Sequence, residues 1–290
     1  MARSSSCVGK NIVWVMAWKE TRRGLLRIIG AALALTGLPA FAAAAEAADP
    51  ALYTANAIVT GTDMRQRPWG FAQCLKEVLV KVAGDPRLRD DPRVAALADH
   101  ADQYVAAFDY LDLMAHLKKN DDQGSYDRPH RLTVHFVPEK IDALIAELGG
   151  TPWRGPRPVI VPVLMIEGPK PPSYMLSAET PRGAEQRGAF AEAASEFGMS
   201  VRIPTEKELG AWVATIDNFQ PKPPSSDGSE AIVTGSLEWS ETLPGWIGKW
   251  QTRWNGADYR WGISGVNYDA AFRDIVRGVV LLASGRGSPD

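Results

Sequence analysis

Three tryptophans, Trp246, Trp250 and Trp254, stand four residues apart and run directly into Asn255-Gly256. Side chains alternate faces along a β-strand, so this spacing puts all three rings on one side. Ile247, Lys249, Gln251 and Arg253 take the other. A helix would also align a spacing of four, but Gly245, Gly248 and Thr252 argue against one. Asn-Gly is a strong hairpin signal, and Tyr259, Trp261 and Ile263 then alternate with Arg260, Gly262 and Ser264. With a strand over residues 232–239 ahead of it, the segment predicts three antiparallel strands sharing a broad aromatic face. A helix over residues 268–282, capped by Asn267, carries the stripe Tyr268, Phe272, Ile275, Val276 and Val279. Laying that stripe over the tryptophans is the simplest way to cover them.

The stretch before it completes an α/β unit. Residues 159–166 are almost continuously apolar, which suggests a strand buried on both faces. Pro162 must then sit where a ladder hydrogen bond can be lost. Residues 168–183 read as a surface loop. Ala189, Phe190, Ala193, Ala194 and Phe197 mark a helix ended by Gly198, and residues 199–203 a short strand. Thr205 and Glu208 have the spacing of a capping box for a helix that turns Leu209, Trp212, Val213 and Ile216 inward. Residues 221–229 read as a loop.

An earlier unit opens with a strand over residues 52–60. Pro68 introduces a helix whose Phe71, Leu75, Val78 and Val82, widened by Ala72 and Leu79, face a core until Gly84 stops it. A short helix over residues 93–102 and an aromatic strand over 104–111 follow. A hairpin loop is expected at 118–128. Leu132, Val134 and Phe136 alternate with Thr133 and His135 as a half-buried strand. Pro138 starts a last helix with Ile141, Leu144, Ile145 and Leu148, closed by Gly149-Gly150. The chain therefore reads as α+β, in two small α/β units. The first is β-α-α-β-β-α, and the second is β-α-β-α-β-β-β-α with helices on a mostly antiparallel sheet.

Ahead of both lies an export signal. Arg22, Arg23 and Arg27 precede an apolar stretch over residues 25–42, and Ala40-Phe41-Ala42 offers small residues where a signal peptidase reads. The expected plan is a cleaved leader at 1–42, an amino-terminal domain at 50–150, a junction at 151–158, a carboxy-terminal domain at 159–285 and a tail at 286–290. Met16 is an alternative start, and Ala45 or Ala47 an alternative cleavage point. The basic segment fits the general secretory route and, in part, the twin-arginine route, with leucine where phenylalanine is commonest. The expected address is the periplasm. No lipid-anchoring cysteine follows the apolar core, and residues 43–290 contain no second hydrophobic stretch of membrane length.

The remaining 248 residues hold 26 basic and 33 acidic residues, a formal charge of −7 with no long basic run. Nucleic acid is therefore not an expected partner. Cys74 would be the one cysteine left, set in an apolar helical pattern that marks a buried thiol. His135 has no second ligand at a recognisable spacing, and Asp121-Asp122 lacks the pattern of a calcium loop. No metal or cofactor is expected. The nucleophile-elbow, phosphate-loop, dinucleotide and zinc-helix motifs are all missing, and no catalytic residue is named. A hydrolase assembled from distant residues is the third-ranked alternative. The tryptophans raise the second: if exposed, Trp153, Trp239, Trp246, Trp250, Trp254 and Trp261 could stack on sugars or grip a peptide.

Leu79-Val80-Lys81-Val82-Ala83-Gly84-Asp85, Tyr104-Val105-Ala106-Ala107-Phe108-Asp109-Tyr110, Leu132-Thr133-Val134-His135-Phe136 and Ile141-Asp142-Ala143-Leu144-Ile145 resemble segments of an exported bacterial family, domain of unknown function 2066 (DUF2066). Arg157-Pro158-Val159-Ile160-Val161 resembles the entry to its later part. Met199-Ser200-Val201-Arg202-Ile203-Pro204-Thr205 departs from the family pattern. The order of the second unit also looks like the small α/β domains of the TolB amino-terminal and FlgT type, by analogy of fold alone. The resemblance implies a Gram-negative envelope protein with no catalytic residues to carry over. The expected function is a non-catalytic adaptor or scaffold in envelope assembly or maintenance, contacting envelope proteins near Trp153.

Overall fold

The computed structural model describes residues 49–116, 128–213, 221 and 228–289. The described residues fall in one compact unit. The expected leader, its start and its cleavage site lie outside them, as do Ile216 and most of the 118–128 and 221–229 loops. The fold is α+β, with two separate sheets and six α-helices among the described residues.

The first sheet is built from β1 (Thr54–Thr60), β2 (Val105–Asp112) and β3 (Pro129–Phe136), all antiparallel, in the order β1-β3-β2. Period two decides its faces: Ala55, Ala57 and Val59 of β1 and Leu132, Val134 and Phe136 of β3 point inward and are buried. Over them lies α1 (Arg67–Ala83). Gly84 ends that helix at φ +63°, a left-handed turn that glycine adopts without a Cβ clash, and its N–H closes on Val80 O. Asp91 caps the short α2 (Pro92–Ala98), and α3 (Pro138–Glu147) buries Ile141, Leu144 and Ile145 in the same core. The element order is the expected β-α-α-β-β-α.

The second sheet contains β4 (Val159–Glu167), β5 (Tyr174–Met175), β6 (Ser200–Val201), β7 (Glu230–Ser240), β8 (Gly245–Trp254) and β9 (Ala257–Val266). Its order is β5-β4-β7-β8-β9, with β6 also on β4. β4 pairs β7 and β6 in parallel and the other ladders are antiparallel. The two-residue β5 is an addition to the expected order, in what reads from sequence as a plain loop. Pro162 finds the position it needs. Ile160 O accepts from Arg202 N and Leu164 O from Leu176 N, so even-numbered residues of β4 direct their backbone away from β7. On that side β6 reaches only Val159 and Ile160, and β5 only Met165 and Ile166. The missing N–H of Pro162 therefore falls in the gap between two short strands.

Two helices, α4 (Ala184–Glu196) and α6 (Tyr268–Ser284), cover one face, where Phe190 stacks on Phe272 at 5.0 Å. The third, α5 (Glu206–Trp212), covers part of the other, over Val161, Val163 and Ile232. It starts with the expected box: Thr205 Oγ1 accepts from Glu208 N, and Thr205 N donates to Glu208 Oε2.

The two cores meet on α1. Its last six residues, Val78 through Ala83, are buried on every side. Val78, Leu79 and Val82 enter the first core, while Val80 enters the second. Lys81 is 5% exposed and is held by Glu77 at 2.6 Å and by Thr54 O at 3.0 Å. Beside it, Arg89 meets Glu196 of α4, which also accepts from Arg273 of α6 at 2.9 Å.

Burial raises the Glu77 carboxyl above its usual range, and Lys81 pulls it part of the way back. An acid raised in the folded state favours folding at low pH. That contribution fades as pH climbs from the unfolded range, about 4.3, through the folded value. Lys81→Met removes the compensating cation, raises Glu77 further and leaves a buried carboxylate unpaired. The variant should lose about 3 kcal/mol at pH 8 and clearly less at pH 5, measured by urea denaturation at both. Equal losses would mean that Lys81 acts through packing alone.

Candidate functional site

The six tryptophans are the first place to look. Trp246, Trp250 and Trp254 do share one face of β8, and Trp250 pairs directly with Trp261 of β9. α6 closes over them. Trp250 Nε1 donates to Asp274 Oδ2 and Trp261 Nε1 to the Asp274 carbonyl, both at 3.2 Å. Gly278 makes the seat: a Cβ there would come within 2.6 Å of the Trp261 ring. Asp274 is itself buried, and its other oxygen accepts from Arg277. Trp246, Trp250 and Trp261 are therefore core, and Trp254 is packed at its border.

Trp153 is buried as well, in the junction. Its N–H donates to Val82 O at 2.7 Å, its ring fills the space above Gly84, and Arg157 lies over it at 4.0 Å. Arg157 in turn donates to Lys81 O at 2.7 Å. Burial pushes that guanidinium down to about 10, so it stays charged at neutral pH. Stacking on a sugar requires an open ring face, which Trp153, Trp246, Trp250 and Trp261 lack. Trp239 is the most open of the six, 37% exposed and edge-on to Trp246.

The junction also holds a cleft of about 330 Å³ lined by Asp85, Arg87, Asp91, Arg93 and Arg286. Its charges are taken up locally. The sequence Asp-Pro-Arg occurs twice, at 85–87 and 91–93. Each aspartate caps the following turn and grips its own arginine with two hydrogen bonds or more. Burial raises the Asp85 carboxyl, but bonds from the Arg87 side chain and N–H outweigh it and hold the group below the usual range. Twin caps of this kind shape the walls of the cleft. No group of three or more metal-capable side chains exists among the described residues. Cys74 is buried in the first core, and burial pushes its thiol up to about 12.

A different surface is left open, and sequence reasoning does not find it. α1 lies over β1 and β3; of the two edge strands, β1 is under the helix and β2 projects past it. Phe108 and Tyr110 point to the helix side of that edge, where Phe71, Phe108, Tyr110 and His130 form a chain of edge-on rings 5.2, 5.9 and 6.3 Å apart. Phe108 is still 38% exposed. Arg67, in the first turn of α1, lies 4.7 Å over the Phe108 ring and donates Nε to Tyr110 OH at 3.3 Å. No carboxylate of the described residues pairs with it within 4.0 Å. On the opposite face Ile58, Arg131 and Leu111 form one row across the sheet, with Ile58 52% and Leu111 54% exposed.

The edge is also open in its backbone. Leu113 N donates to Pro129 O, so odd-numbered residues of β2 direct their amides to β3. Phe108 and Tyr110 therefore turn N–H and C=O outward, where no strand among the described residues pairs with them. A bulge between Val105 and Ala107 breaks the ladder at one end and leaves Ala107–Asp112 as the regular run. Phe108 and Tyr110 are legible as strand residues, but which strand ends at an edge is set by pairing across the chain. Nothing local in the sequence signals it.

A family model described as a domain of unknown function (DUF8605) matches residues 44–154. That span holds the whole first sheet, α1 and Trp153. No curated protein matches the chain. No solved structure matches it. The expected resemblance to DUF2066 is overturned: the model that matches is that of a different family. The analogy to TolB-type and FlgT-type domains finds no matching structure behind it. The strings that suggested the resemblance are short apolar strands and a helix end, patterns that many α/β cores share.

Asp274→Ala tests the burial of the tryptophans. It strips the Trp250 N–H of its acceptor and Arg277 of its counter-ion, and should cost about 2–3 kcal/mol in urea unfolding. A loss under about 0.5 kcal/mol would contradict the hydrogen-bonded core described above.

Proposed function

We propose that the chain is an exported, non-catalytic adaptor that works by protein contact in the periplasm, through the β2 edge of its first sheet. The observation that carries the reading is an aromatic edge strand whose Phe108 and Tyr110 offer backbone and ring together. Unpaired edges invite another strand, and soluble proteins ordinarily blunt them. Here the regular run is left accessible and lined with rings, which suits strand addition. The matched family span, residues 44–154, contains that edge. Export rests on the basic Arg22-Arg23 segment and the apolar stretch after it. No helix among the described residues is long and apolar enough to cross a membrane. The tryptophan-based alternative has less in its favour, because four of the six rings are buried. The junction contact expected near Trp153 gives way to the edge for the same reason.

The test places a photo-crosslinking phenylalanine analogue at Phe108, Leu111 or Arg253 in cells, followed by periplasmic fractionation. Arg253 is an exposed position on the other sheet. One adduct of the same mass from positions 108 and 111, in the periplasmic fraction and missing at 253, is the expected result. Equal labelling from all three, or none from any, would contradict it.

A further inference from the structure

We infer that the β2 edge takes an extended peptide segment that adds as a strand and carries a carboxylate for Arg67; this rests on the contact reading given above. The free amide and carbonyl groups of Phe108 and Tyr110 are spaced to pair with every second residue of an incoming strand. Side chains of that strand on the helix side would lie beside the Phe108 and Tyr110 rings, and they should be apolar. The same side holds Arg67, whose charge no side chain among the described residues answers: its contacts there are a phenol oxygen and the face of Phe108. Two described arginines nearby are matched, Arg65 by Asp63 and Arg128 by Asp112. An arginine half-covered by aromatic rings is weakly hydrated and presents a planar fork, which suits a carboxylate better than a solvent-bathed lysine would.

Charge also argues against a second copy as the occupant. An antiparallel β2 pair centred on Asp109 would set two like carboxylates directly opposite each other, and Asp112, the acidic residue of β2 on the helix side, is already engaged by Arg128 and by Met114 N. The segment that fits is thus an alternating one, apolar on the groove side, with an Asp, a Glu or a free carboxyl terminus where it passes Arg67.

The test begins with a phage-displayed library of random octapeptides panned on the full chain. Enriched sequences are then synthesised with a fluorescein label and measured by anisotropy. The expected consensus alternates apolar residues and holds one carboxylate. Arg67→Gln should weaken the best peptide by about tenfold or more, with Arg67→Lys in between and the melting temperature unchanged. Replacing the peptide carboxylate by its amide should weaken binding to the wild type equally and cost nothing further on Arg67→Gln. Absence of any consensus overturns the proposal, as does a consensus indifferent to Arg67→Gln. A wild type that sediments as a dimer and loses the dimer in Arg67→Gln also overturns it, in favour of self-pairing. The failures are separable. Crosslinks from Phe108 and Leu111 without carboxylate dependence leave the contact reading standing and remove only the Arg67 role. Loss of both removes the reading itself.

Discussion

The last six residues of α1 are buried from all sides, and the rest of the molecule is arranged around that fact. An amphipathic helix has one stripe to bury, and one sheet can cover it. Residues 78–83 have no solvent face. Val78, Leu79 and Val82 take the first sheet, while Val80 needs a second surface, which α4, α6 and Trp153 provide. A lysine in such a helix is tolerable because Glu77 and Thr54 O satisfy it. The helix end is satisfied too: Trp153 bonds Val82 O, Arg157 bonds Lys81 O, and Ser284 of α6 bonds Gly84 O at 2.8 Å.

The open edge follows from the same constraint. A helix committed to both cores cannot slide outward to cover the full width of its own sheet. It sits on β1 and β3, and with the strand order β1-β3-β2 it meets β2 through the Phe71 and Arg67 side chains. Phe108 and Tyr110 are then only partly covered, by Phe71, Arg67, His130 and each other. The scaffold beneath them is rigid because α1 is clamped. A rigid strand with a free edge is well placed to recruit another strand, since little conformational entropy is lost on its side.

Local patterns in the sequence carry most of the architecture. The four-residue tryptophan spacing, the Asn255-Gly256 turn, the Asn267 cap and the Thr205–Glu208 box each encode their geometry within a few residues, and each stands where the pattern puts it. Pro162 even anticipates a gap between short strands. What local pattern cannot carry is partnership at a distance. Lys81 looks like an exposed polar residue of a helix until Glu77 and Thr54 O take its ammonium inside the fold. The twin Asp-Pro-Arg turns look like surface charge until each arginine folds back on its own aspartate. Phe108 and Tyr110 look like core until the strand order puts them at an edge. The site lies among the features of this second kind, which is why the tryptophans, more conspicuous in the sequence, draw attention to the core instead.

If α1 is a shared core element, neither sheet can open without the other. Hydrogen exchange read by mass spectrometry across a urea series, on peptides from β3 and β4, measures this directly. The account predicts that both peptides reach the same opening free energy with the same urea dependence. A β3 peptide that opens at distinctly lower free energy while β4 stays protected would contradict it, because the first sheet would then unfold around a helix it does not share.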